Sequence, residues 1–303
     1  MGQRTLEISK PSELHVSACQ LVIEQENKKI SIPLEDLATI VCLGSNIRIS
    51  TMALSLLSKN GIVLQILDEK YRPTSLCQSI EGNSQQALIM RRQVSLDSKK
   101  ACSLWKKIVE RKITNQSRAL ALLGIEGSEK VEGYASKAIK EDDLVDQYEA
   151  AAARQYFSNF HPGLNRKNDD PMNSHLNYGY AIVRNAIIRA LINSGFQPAF
   201  GIHHSNQFNA FNLADDLIEP WRPMVDLVAH GNIDSKNILT KSQRKNLSMV
   251  LHHACLINGN RYSVLEGIDI MVQSLKKAVL LDEYDELHLP TIIPIEVIEV
   301  VSE

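Results

Sequence analysis

The sequence predicts an α+β multidomain protein in which a β-sandwich-like N-terminal domain precedes an all-α domain. Three observations carry this prediction. Over roughly the first 80 residues, short apolar runs alternate with polar positions at the period of strands. A polar, turn-like stretch, Ser-Ile-Glu-Gly-Asn-Ser at 79–84, follows. Beyond it the apolar period lengthens to that of helices. At 303 residues the chain is long enough for two domains with separate cores.

Along the chain, Leu6 and Ile8, then Leu14, Val16 and Ala18, then Leu21 and Ile23, then Ile30 and Ile32 alternate with polar neighbours, as in half-buried strands. Lys-Pro-Ser, Glu-Asn-Lys-Lys and Leu-Gly-Ser-Asn supply turns between them. Residues 36–43 and 61–67 are continuous apolar runs, the pattern of strands buried on both faces. A helix is expected at 51–59, with Gly61 close to its stop. Together these describe a small, mostly antiparallel β domain over 1–78, and 79–85 reads as a linker. Helices are expected at 86–116, 129–140, 141–159 and 173–194, then around 212–218, 241–257 and 263–281. The stretch 290–303 is β-prone but carries Pro290 and Pro294, so it reads as a docking strand or a tail.

No apolar run approaches the roughly 18 residues of a membrane-spanning helix. The N-terminal Met-Gly-Gln-Arg-Thr-Leu-Glu lacks the apolar core of a secretory signal, so the expected compartment is the cytoplasm and no membrane partner is expected. The five cysteines are scattered and form no C-x-x-C pair, which suits neither a zinc ribbon nor a disulfide framework. The net charge of −2 hides an asymmetry. Between 281 and 303 there are seven acids and no Lys or Arg, whereas 86–120 carries nine bases against Asp97 and Glu110. Such a basic run is either a solvated helix face or a surface that neutralises nucleic-acid phosphates.

Residues 142–157 contain four consecutive alanines, which favour helix. At helical spacing Val145, Glu149, Ala152, Ala153 and Tyr156 share a face. A carboxylate in such an apolar stripe costs several kcal/mol unless compensated, so Glu149 either pairs with a cationic side chain or ligates a metal ion. Residues 201–223 place His203-His204 in a polar loop ahead of a short helix bearing Asp215, Asp216 and Glu219. Asp216 and Glu219 are three apart and repel unless something positive, such as a divalent cation, lies between them. The helix dipole favours acids at 215 and 216 but accounts less well for Glu219. Two carboxylates and an imidazole without a thiolate favour magnesium or manganese over structural zinc. That donor set suits metal-assisted attack on a phosphodiester. Between these segments lies the polar stretch 165–177, where Arg166 and Lys167 suit phosphates and Asn173 or Ser174 caps a helix. Tyr178, just beyond, reads either as a helper at the site or as a core tyrosine bonded through its hydroxyl.

Three elements then carry a family resemblance: Tyr148-Glu149-Ala150; Asn173-x-x-x-Asn177-Tyr178-Gly179-Tyr180; and Gly201-Ile-His-His with Leu213-Ala-Asp-Asp-Leu-Ile-Glu-Pro-Trp-Arg-Pro223. In order and spacing, over nearly the whole chain, they resemble the CRISPR-associated integrase, the universal subunit of spacer acquisition. The Asn-Gln-Phe-Asn-Ala-Phe run resembles the branch found in type II systems, beside an RNA-guided effector nuclease.

The resemblance implies that the β domain over 1–78 dimerises and that 86–289 is the helical catalytic domain. It implies a homodimer, and a heterohexamer of two such dimers with a dimer of a small ferredoxin-like CRISPR-associated partner. It implies that Glu149, His204 and Glu219 are the catalytic residues and the ligands of Mg2+ or Mn2+, with Asp216 and Tyr178 auxiliary near the site. His204 is preferred to His203 by its position in the family pattern. The implied reaction on double-stranded DNA is transesterification, in which the 3′-hydroxyl ends of a short duplex, the prespacer, attack the CRISPR repeat; nuclease activity would come from the same site. The basic run then reads as DNA-facing, with Arg91, Arg92 and Arg166 as the expected contacts because guanidinium forks suit phosphate. A metal-dependent phosphohydrolase of another class and a non-catalytic DNA-binding scaffold are the competing functions.

Overall fold

The computed structural model describes residues 4–297 apart from 27, 44–45, 69–72, 80–82, 166–167, 169 and 232–238. It divides into two compact units, Met1–Gln86 with Ile192–Gly195, and Ala87–Leu191 with Phe196–Glu303. A strand-rich region precedes a helical one, as the sequence predicts.

The first unit holds β1 (Arg4–Ile8), β2 (Ser12–Ser17), β3 (Gln20–Gln25), β4 (Lys28–Pro33), β5 (Leu37–Cys42), β6 (Ile47–Ile49), α1 (Thr51–Lys59), β7 (Val63–Leu67) and β8 (Pro73–Cys77). Two four-stranded sheets form, ordered β1-β5-β7-β8 and β4-β3-β2-β6. Ile8, Ile40 and Leu64 of one sheet, Leu14, Leu21 and Ile23 of the other, and Leu57 of α1 join in one buried cluster.

The unit is not mostly antiparallel. β1 with β5, β5 with β7 and β2 with β6 run parallel, while β2–β3, β3–β4 and β7–β8 run antiparallel. α1 lies in the connection from β5 to β7 and returns the chain to the starting end, which makes the later strand parallel. Ala18 is also not a strand residue. Ala18 and Cys19, with φ of 48° and 58°, close β2 onto β3 so that Ser17 faces Gln20. Positive φ at both central residues matches the twist of the strands.

The second unit holds α2 (Gln86–Val94), α3 (Ser98–Leu122), α4 (Ser128–Lys140), α5 (Val145–Phe160), most of α6 (Pro171–Asn193), α7 (Asn212–Leu217), α8 (Arg222–His230), α9 (Lys241–Ser248) and α10 (Val264–Leu281). The single helix expected at 86–116 is broken at 95–97 because Asp97 caps α3, its carboxylate accepting from Lys100 N at 2.9 Å. Leu104, Ile108, Val109, Ile113 and Leu120 of α3 are buried. Burying each such side chain contributes roughly 1.5–3 kcal/mol, so α3 is anchored along its length.

The second unit is not all-α either. β9 (His253–Ile257), β10 (Asn260–Ser263) and β11 (Thr291–Val297) form a three-stranded sheet ordered β10-β9-β11. The helix expected at 241–257 therefore ends at Ser248, followed by a 3-10 turn and a strand. Asn258 and Gly259, with φ of 50° and 79°, form the two-residue turn between β9 and β10. An Asn-Gly pair between short apolar runs is a strong hairpin signal that outweighs the helical period before it. β11 takes the docking-strand alternative for the start of 290–303; 298–303 lie outside the described residues. Among the described residues no helix is long and apolar enough to cross a membrane.

Candidate metal centre

Three elements of the second unit converge on one buried cation. α3 contributes Lys112, α5 contributes Glu149, and the 3-10 turn Glu219–Trp221 between α7 and α8 contributes Glu219. Lys112 Nζ pairs with Glu149 Oε1 and with Glu219 Oε2, its side chain only 11% exposed. Glu219 Oε2 meets Lys112 as an ion pair without hydrogen-bond geometry, while Oε1 accepts from Arg222 Nε at 2.8 Å. Burial opposes the charge of Lys112, but Glu219 and Glu149 overcome it and hold its pKa above the ordinary lysine value. Burial likewise pushes the Glu219 carboxyl up, and Arg222 with Lys112 overcomes that, holding it down at about 2. Both groups are ionised at neutral pH.

The packing behind the pair is polar and closed. The Arg222 guanidinium lies over the Tyr180 ring, 4.7 Å from its centroid. The hydroxyls of Tyr180 and Tyr156 donate to the buried Asp226 carboxylate at 2.5 Å and 2.8 Å. Asn115, one turn beyond Lys112 on α3, donates to the carbonyls of Pro220 and Pro290 and accepts from Ile292 N. It thereby ties the turn that carries Glu219 to α3.

The histidine loop is organised around Asp216, whose carboxylate is fully buried. Asp216 Oδ2 accepts from Ile202 N at 2.6 Å and His203 N at 3.1 Å, and Oδ1 accepts from His204 N at 3.1 Å. Oδ1 also lies 2.6 Å from His204 Nδ1. That bond raises the imidazole pKa above the usual 6.5 against the lowering effect of partial burial. With Nδ1 engaged, Nε2 is the ring nitrogen left for a ligand, the usual arrangement of a metal-binding histidine. His203 has a different task. It stacks on Trp105 of α3 with centroids 4.1 Å apart and planes within 1°. Asp146 accepts from Trp105 Nε1 at 2.9 Å and lies 3.5 Å from His203 Nε2. Gly201 is required where the loop turns, because a Cβ there would overlap the His204 carbonyl oxygen and approach Asp216 Oδ2 to 2.8 Å. Gly201→Ala is expected to cost roughly 1–3 kcal/mol in urea unfolding, as overpacking does.

Glu149 and Glu219 thus meet at one point, and the point holds an ammonium. Among the described residues no group of three or more His, Cys, Asp and Glu side chains is arranged to hold a metal ion. Asp216 and Glu219 are met by different protein groups. Backbone N–H groups and His204 compensate Asp216, whereas Lys112 and Arg222 compensate Glu219, which begins a new 3-10 turn after α7. Asp215 pairs with Arg184 at 2.7 Å. Tyr178 is buried in α6.

A family model described as CRISPR associated protein Cas1 matches residues 6–256. The chain belongs to the Cas1 family. A CRISPR-associated endonuclease Cas1 from Neisseria meningitidis serogroup C (strain 8013) is 31% identical over 301 residues, 98% of each chain. Among solved structures, a casposase bound to integration product superposes with a TM-score of 0.74 over 93% of this chain and 92% of that one, at 19% identity. A Cas6-RT-Cas1–Cas2 complex superposes at 0.73 and 19% identity over 96% of this chain and 36% of that chain. At these identities the superpositions establish a shared Cas1-like fold.

Within this Cas1 chain the basic run divides. Arg91 and Arg92 are exposed on α2, and Arg92 lies 3.6 Å from Asp282. Lys100 and Lys107 on α3 pair with Asp282 and Asp285 at 2.7 Å and 2.6 Å. Arg111 donates to Thr291 and Arg118 to the Ile292 carbonyl, so both serve β11, and Lys112 is inside. Arg166 lies outside the described residues. Sequence reasoning missed Lys112, Arg222, Trp105 and Asn115 as parts of the centre. Trp105 and Lys112 are seven apart on one helix face, and that spacing was the available signal.

Proposed function

We propose that this chain is a metal-dependent DNA integrase and nuclease of CRISPR adaptation. The observation that carries the reading is the buried meeting of Glu149 and Glu219, in a Cas1 chain whose His204 has Nδ1 engaged and Nε2 left for a ligand. The donor types suit Mg2+ or Mn2+: two hard carboxylate oxygens, which meet at a point where the protein already stabilises positive charge, and one imidazole nitrogen. Glu149, Glu219 and His204 would hold the ion, which when bound supplies a Lewis acid for a phosphoryl oxygen. Arg222 keeps Glu219 ionised and oriented, and Asp216 fixes the histidine tautomer.

The reaction is transesterification. The 3′-hydroxyl oxygen of a short duplex, the prespacer, forms a bond to a phosphorus of the CRISPR repeat, and the repeat's own P–O3′ bond breaks. DNA supplies the nucleophile, so no side chain forms a covalent intermediate. Double-stranded DNA meets the exposed Arg91 and Arg92, with Arg166 as a further expected phosphate contact. The chain acts in the cytoplasm as a homodimer through its β domain, bound to a small ferredoxin-like CRISPR-associated partner; one structural neighbour is a Cas6-RT-Cas1–Cas2 complex, which supports a Cas partner. It works beside a type II effector nuclease.

The test is strand transfer of a labelled duplex into a supercoiled repeat-bearing plasmid with Mn2+. Glu149→Gln is expected to bind duplex DNA within a few-fold of the parent while joining falls about a thousandfold, the scale of losing transition-state charge stabilisation. Joining at the parental rate by the folded variant would remove Glu149 from the reaction.

A further inference from the structure

Lys112 is a buried ammonium placed between two carboxylates that the proposed function assigns to a metal ion. Its Nζ contacts Glu149 Oε1 and Glu219 Oε2, one oxygen from each. Arg222 already neutralises much of Glu219 through Oε1. A divalent ion entering this point meets two fixed positive groups as well as its ligands. With both cations in place the carboxylate pair is nearly charge-balanced, and it has little residual field with which to draw an ion out of water.

The two cations differ in freedom. Arg222 is pinned by its ring contact with Tyr180 and by Glu219. Lys112 has a four-carbon stem and a point charge, able to turn to a new anion without leaving its helix. The anion that arrives with substrate is phosphate, and lysine binds phosphate as a point charge.

We propose that Lys112 is the resident counter-ion of the carboxylate pair and that it makes metal loading depend on DNA. Without DNA, Lys112 holds Glu149 and Glu219 together and keeps a divalent ion weakly bound. When a DNA phosphate reaches the centre, the ammonium turns to it and exposes the carboxylate oxygens to the ion. No proton is gained or lost in this exchange; three charges change partners. Metal and DNA therefore raise each other's affinity, since coupling between two ligands is reciprocal. The protein would not carry a loaded nuclease centre in the absence of substrate. This inference rests on the proposed function, because it needs the ion to bind where Glu149 and Glu219 meet.

The experiment measures Mn2+ binding to the full-length protein by electron paramagnetic resonance, with and without a short duplex. The chains compared are the parent, Lys112→Gln and Glu149→Gln. Lys112→Gln keeps a hydrogen-bond donor on a side chain one atom shorter and removes the charge. Without DNA it is expected to bind Mn2+ about tenfold more tightly than the parent, since a unit charge a few ångströms from the ion is worth at least that much. The duplex is expected to tighten Mn2+ binding in the parent by about tenfold and to do so much less in Lys112→Gln.

If Lys112→Gln binds Mn2+ as the parent does or more weakly, while Glu149→Gln loses the ion, the counter-ion role is overturned and the metal site stands. If the parent binds no Mn2+ with or without DNA, the proposed function itself fails. Lys112→Met repeats the measurement where the Gln variant is unfolded. Folding of either variant only when Mn2+ is added supports the inference, because the ion then replaces the ammonium, and failure to fold even with Mn2+ overturns it.

Discussion

Asp216→Ala is expected to destabilise the fold by roughly 3 kcal/mol and to weaken Mn2+ binding 10- to 100-fold, although Asp216 is not one of the proposed ligands. The carboxylate is fully buried and accepts three backbone N–H groups and the His204 ring. Removing it leaves three donors of residues 202–204 without that acceptor. Hydrogen bonds to a charged acceptor contribute about 1.5–3 kcal/mol each, and the unsatisfied buried donors add to the loss. His204 also loses the group that sets its tautomer, so Nε2 is no longer held as the free nitrogen. Asp216→Asn separates the two effects. Its oxygen can retain the Oδ1 contacts, but its amide would face the N–H groups of Ile202 and His203. Urea unfolding and Mn2+ titration of both variants check this. Parental stability in Asp216→Ala would mean that the loop is held by something other than this carboxylate.

Much of this centre can be read in sequence because its chemistry is expressed at fixed spacing. Glu149 stands out as a carboxylate in an alanine-rich helix face. Asp216 and Glu219 stand out as close acids ahead of a proline. What cannot be read is how each charge is balanced, since compensation comes across space from α3. Lys112 looks in sequence like one of nine bases in a DNA-facing run, yet it is the single residue of that run whose ammonium reaches both acids. The pair His203-His204 is alike in one dimension and differs in three, where one ring stacks on Trp105 and the other bonds to Asp216. The same limit applies to the fold. Strand and helix periods mark most elements, but parallel pairing in the β unit depends on where α1 returns the chain. The sheet of the second unit was hidden because β9 continues the apolar pattern of α9 until Asn258-Gly259 turns it. The acids at 282–286 read as a charged end of the chain, and the structure sets them against the lysines of α3 instead.

Glu219→Gln is expected to lower stability by roughly 3–5 kcal/mol in the absence of metal, the cost of removing one partner from a buried ion pair. The parental carboxylate joins Lys112 on one oxygen and Arg222 on the other. A glutamine can keep its oxygen toward Arg222, but its NH2 then faces the Lys112 ammonium, which is left with Glu149, and Arg222 loses the charge of its carboxylate partner. The pH dependence distinguishes this account from a simple loss of packing. Arg222 and Lys112, working against burial, lower the Glu219 pKa from an ordinary 4.5 to about 2. A carboxyl depressed by folding stabilises the folded state fully above pH 4.5 and loses that contribution as pH falls toward about 2. The difference in unfolding free energy between parent and Glu219→Gln is therefore expected to be constant near neutral pH and to shrink below pH 4.5. Other carboxylates titrate in both proteins and cancel from the difference. A difference that stays constant down to about pH 2 would show that Glu219 is held by its packing and not by the two cations beside it.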